Sequence, residues 1–84
     1  MSIKDKLVDY NESMLFADGF DEALIGIVEQ FGRPPVALYS YDMCITILME
    51  RDGMEEEEAI EFLEYNTLGA YVGENTPAFA TLMR

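Results

Sequence analysis

The chain has 84 residues, 50% of them hydrophobic, with five Phe, five Tyr, no Trp, no His and a single Cys. That length supports one hydrophobic core in one domain spanning residues 1–84, and the apolar content excludes a chain held disordered by charge. Seventeen acids against five basic residues give a formal charge of −12, which repels phosphate backbones and anionic membrane surfaces and so argues against direct nucleic-acid or membrane binding.

From Ser2 to about Leu15, the residues Ile3, Leu7, Tyr10 and Met14 recur at three- and four-residue intervals, the stripe of an amphipathic helix capped by Ser2. Charges interrupt this stripe, so it is no secretory signal, and no uncharged stretch approaches the ~20 apolar residues a bilayer requires. A cytoplasmic location is expected. Asp18-Gly19 then marks a turn. Residues Ala23 to Phe31 are rich in β-branched side chains, and Val36-Ala37-Leu38-Tyr39 forms a second apolar run beyond Gly32-Arg33-Pro34-Pro35. Together they predict an antiparallel strand pair joined by a hairpin turn, with a helix from Phe20 onward as the alternative for the first run.

Ser40 or Asp42 can cap a following helix, largely buried, with Cys44, Ile45, Leu48 and Met49 on one face and Met43 and Ile47 on another. Arg51-Asp52-Gly53 ends it, glycine serving as the C-cap. The next helix is expected over Met54 to Val72. Glu55 to Glu58 occupy its first turn, where free amides favour carboxylates, and Ala59, Phe62, Leu63, Asn66 and Ala70 line its apolar face. Gly73 stops it, and Ala78 to Leu82 close the domain as a short strand. The expected architecture is a compact α+β domain: helix, antiparallel strand pair, two helices, short C-terminal strand.

Four segments carry a resemblance: Tyr41-Asp42-Met43-Cys44-Ile45, Arg51-Asp52-Gly53-Met54, Glu56-Glu57-Glu58-Ala59-Ile60-Glu61, and Gly69-Ala70-Tyr71-Val72-Gly73-Glu74-Asn75-Thr76-Pro77. They resemble small proteins of unassigned function encoded by tailed bacteriophages and some bacteria, over roughly the C-terminal two-thirds of the chain. The resemblance implies a phage-type accessory protein in the host cytoplasm and no particular activity. Members of that group often carry Ser or Thr where this chain has Glu55, so the helix cap departs from the pattern there.

Without His, neither a Ser-His-Asp nor a Cys-His nucleophile system exists, and Cys44 lacks both a disulfide partner and a nearby cation to hold it as thiolate. No catalytic residue, metal site or cofactor is implied. Asp18-Gly19-Phe20-Asp21-Glu22 lacks the alternating ligands of a calcium loop. Glu50 to Glu64 holds eight acids and Arg51, a net −7. A solvated helix explains most of this, but Glu57, Glu61 and Glu64 at helical spacing also form a candidate partner surface, with Arg33, the lone basic residue between Lys6 and Arg51, as a second contact. The expected function is a non-enzymatic protein-interaction module that self-associates, as a homodimer or larger homo-oligomer, or binds a host protein. The alternative is an acidic DNA mimic inhibiting a nucleic-acid-binding enzyme.

Overall fold

A computed structural model describes residues 3–68 and 73–83 of the chain. Ser2, the expected cap of the first helix, and Ala70 and Val72, expected in the later one, lie outside them, as do the side chains of Ile3 and Leu68.

The first helix, α1, covers only Ile3–Leu7. It stops short of Leu15 because Asn11 bonds to its surroundings in place of the helical ladder. Asn11 Oδ1 accepts from the Ser13 N–H at 3.0 Å, and Asn11 Nδ2 donates to the Pro35 carbonyl at 2.9 Å and to Asn75 Oδ1 at 2.8 Å. Such side-chain bonds compete directly with helix formation. Leu7 and Met14 still reach the core, whereas Tyr10, the third residue of the expected stripe, is exposed.

After a single 3₁₀ turn at Asp21–Ala23, strand β1 runs Leu24–Val28 and pairs antiparallel with β2, Val36–Ser40. This is the expected hairpin, shorter at its first strand. Residues 29–35 form the connection, and Phe31, expected in the strand, stands fully exposed there. The register slips between Leu24 and Gly26, a bulge at Ile25. A glycine without a side chain to pack is a common seat for such a break. Strand β3, Ala78–Ala80, adds to β2 in parallel, so the three-stranded sheet is mixed, in the order β1-β2-β3.

Helix α2, Tyr41–Asp52, begins directly after β2. The Ser40 hydroxyl accepts from the Met43 N–H at 3.3 Å, and Gly53 ends the helix with φ +68°, a left-handed conformation that suits glycine. Cys44, Ile45 and Leu48 are buried, while Met43 and Met49 are exposed. Ile47 packs half-buried against the core, but both methionines and the polar positions of the helix meet solvent, correcting the expectation that most of it is covered. Helix α3 is Glu56–Leu63, with the Glu55 N–H donating to Glu58 Oε1 at 3.1 Å, the reciprocal half of a capping box. Ala59 and Leu63 are fully buried, but Phe62 and Asn66, placed by spacing on the same face, are exposed. Phe62, inside α3, lies about 100° round the helix from Leu63, at the edge of the buried stripe. Asn66 falls where the α-helix has ended at Leu63 and continues as a π-helical turn, Glu64–Leu68, in which Asn66 Nδ2 donates to the Phe62 carbonyl at 3.2 Å. A wider turn rotates everything beyond Leu63 away from the periodicity of α3.

The core lies between one face of the sheet and the helices. Leu24, Ala37 and Tyr39 come from the strands, Cys44, Ile45 and Leu48 from α2, and Ala59 and Leu63 from α3. Tyr39 is fully buried, its ring 5.4 Å from that of Phe79 on β3, and its hydroxyl accepts the Ala17 N–H at 2.9 Å. Tyr39 thus joins sheet, crossover strand and N-terminal segment in one contact set.

Candidate functional site

Arg33 and Glu61, two of the residues singled out as a candidate partner surface, line different depressions. Glu57, Glu61 and Glu64 are all exposed. Glu61 lines an open depression of about 340 Å³ with Met54, Glu58, Phe62, Tyr65 and Asn66, to which Glu57 and Glu64 do not contribute. Glu64 begins the π turn and lies instead near Tyr41, whose hydroxyl pKa is raised by burial first and by Glu64 second. Among the described residues these glutamates make no ion pair; the two pairs present are Lys4 with Asp21 at 2.8 Å and Arg51 with Asp52 at 3.0 Å.

Those two pairs consume two of the five cations in internal clamps. Lys4 also lies over the Phe16 ring at 5.3 Å, and Arg51 over Phe20 at 5.7 Å while Arg51 Nη1 donates to the Gly19 carbonyl at 2.6 Å. Gly19 has φ +87°, and a Cβ there would sit 3.1 Å from Arg51 Nη1. Arg51 consequently fastens the end of α2 onto the turn before the sheet.

Arg33 stands elsewhere, in a depression of about 270 Å³ at the hairpin end of the sheet. Val28, Pro34, Val36, Pro77 and Ala78 supply its apolar lining, and Glu74 faces the same space. Both flanks of this depression are held in place. Asn11 ties Pro35 on the hairpin to Asn75 on the turn before β3, and the Thr76 hydroxyl donates to the Gly73 carbonyl at 2.7 Å within that turn.

This depression opens onto a feature that spacing arguments did not single out. Register places Leu24, Ile27, Ala37, Tyr39 and Phe79 on the core face of the sheet, and on the other, beside the buried Ser40 that pairs with Ala80, the six positions Gly26, Val28, Val36, Leu38, Ala78 and Ala80. Those six are half-buried and none packs against the core cluster. A half-covered sheet ordinarily alternates apolar with polar residues, yet the one polar side chain at these positions is Ser40, which caps α2, and none is charged. The sign was present in the sequence, since Leu-Ile-Gly-Ile-Val and Val-Ala-Leu-Tyr are apolar at every step.

The groups that would have to carry catalysis are placed otherwise. Cys44 is fully buried, and desolvation pushes its thiol up to about 11, which keeps it protonated and unreactive. Asp21 is engaged with Lys4, and neither Asp18, Asp21 nor Cys44 lines either depression. Among the described residues no group of three His, Cys, Asp or Glu is arranged to hold a metal ion, and no helix is long and apolar enough to cross a membrane. Comparison with known protein families, curated proteins and solved structures finds no match to this chain.

Proposed function

We propose that this chain is a non-enzymatic protein-interaction module, a phage-type accessory protein of the cytoplasm that self-associates or binds a host protein through the outer face of its sheet. The observation that carries this reading is the uncharged, mostly apolar outer face formed by Val28, Val36, Leu38, Ala78 and Ala80, beside a depression whose flanks are held by Asn11. Apolar area left in water costs about 25 cal/mol per Å², so covering it with protein is favourable. The thiol is buried away from both depressions, which supports binding over thiol chemistry. The resemblance of the C-terminal two-thirds to small phage proteins supports an accessory role.

The acidic DNA mimic rests on a different observation, the exposed and unpaired state of Glu57, Glu61 and Glu64. One experiment separates the two. The tagged chain is used to capture protein from native host lysate alongside Leu38→Lys and the triple reversal of Glu57, Glu61 and Glu64 to Lys, with folding checked by circular dichroism. Leu38→Lys is expected to abolish capture and the triple reversal to spare it. Capture that survives Leu38→Lys but is lost with the triple reversal, and weakens steeply with salt, contradicts the sheet-face reading and supports mimicry.

A further inference from the structure

The hairpin presents a knob and a hole side by side. Phe31 at its tip is fully exposed, while Gln30 and Arg33 on either side of it line the 270 Å³ depression. A cavity of about 150 Å³ already accepts benzene, so this depression is wide enough for one phenyl ring. Its lining of Val28, Pro34, Val36, Pro77 and Ala78 is the apolar surface such a ring seeks. A surface that carries both an aromatic knob and an apolar hole satisfies itself when two copies meet about a two-fold axis, because each knob then finds the other copy's hole.

Charge selects the same arrangement. Seating Phe31 in a partner's depression carries Arg33, two residues along the chain, to the space that Glu74 of the partner subunit faces. Arg33 and Glu74 are both exposed and form no ion pair with each other within the chain. Across the axis the pair is made twice. At −12 per chain two copies repel in most orientations. The outer sheet face is an exception, with no acid at its outward positions, whereas the first turn of α3 carries Glu56, Glu57 and Glu58. Size agrees. Two strands of five residues and one of three, about 4.8 Å apart, cover only about 200 Å². A standard interface takes about 800 Å² per partner, so the hairpin and the Phe31 ring, which buries about 150–250 Å², must belong to it.

We infer that the partner on this face is a second copy of the chain, paired about a two-fold axis with Phe31 of each copy seated in the other's depression and Arg33 facing the partner's Glu74. This rests on the protein-binding reading above and narrows it to one occupant.

The test is sedimentation velocity on the full chain from low micromolar to submillimolar concentration. The wild type is expected to form a dimer. Phe31→Ala, which leaves the fold intact by circular dichroism because the ring touches little, is expected to raise the dimer dissociation constant by roughly a hundredfold or more, two aromatic anchors being lost at once. Arg33→Glu and Glu74→Arg are each expected to weaken the dimer by roughly tenfold or more, and the double exchange to restore it. A wild type that stays monomeric, a Phe31→Ala dimer of unchanged affinity, or a double exchange no better than either single one overturns the pairing. A monomeric wild type whose host capture is still lost with Leu38→Lys overturns the pairing alone and leaves the protein-binding reading in place.

Discussion

Tyr39 and Cys44 are both fully buried, and for both burial is the leading cause of a raised pKa, which for Cys44 reaches about 11 against an ordinary 9.0. Below pH 9 the folded and unfolded chains both keep the thiol proton, and stability does not depend on it. Between about 9 and about 11 the unfolded chain releases a proton that the folded chain holds, so stability falls as pH rises through this window. The slope from Cys44 approaches about 1.4 kcal/mol per pH unit, with Tyr39 acting in the same direction. Urea denaturation at pH 8 and pH 10.5 is expected to show this loss and a smaller one in Cys44→Ala, whose fixed cost of cavity formation is the same at both values. Equal losses in the two proteins would show that Cys44 is not the source. In the native state at neutral pH the thiol is expected to resist alkylation.

The elements were legible where a local rule acts on a local stretch. Ser40 caps α2, Gly53 ends it, Glu55 opens α3, and the Gly-Arg-Pro-Pro stretch turns the hairpin, each decided by residues within a few positions. They were illegible where a distant partner intervened. Nothing near Asn11 announces that its amide reaches Pro35 and Asn75, and those bonds end the first helix early. The π turn after Leu63 likewise rotates Asn66 off the face that spacing assigned it. As for the candidate surface, the acids were easy to find and the outer sheet face was not, because an apolar strand reads the same whether its second face is covered or open. Two glycines test this element-level account. Gly19→Ala, at φ +87° and against Arg51, is expected to cost about 1–3 kcal/mol, because a side chain is strained in that conformation. Gly26→Ala has open space at the new Cβ and is expected to be neutral or to stabilise by about 0.5 kcal/mol. Denaturant midpoints for the two variants check both; equal costs would contradict the assignment of Gly19 as the constrained position.

At the scale of the whole molecule, charge and apolar surface are segregated. The glutamate-rich start of α3 lies on the helical side, while the outer face of the sheet carries no charge at its outward positions. In the proposed pairing the net charge disfavours approach except through the face that lacks acids, and acidity acts there as a selector of orientation rather than as the binding surface itself. The most direct check is a methyl-resolved NMR titration in which the chain is concentrated or mixed with its captured partner. The methyls of Val28, Val36, Leu38 and Ala78 are predicted to shift, while those of the core residues Ala59 and Leu63 and the backbone amides of Glu57 and Glu61 stay in place. Shifts confined to α3, or partner binding that leaves the four sheet methyls unmoved, would contradict the account.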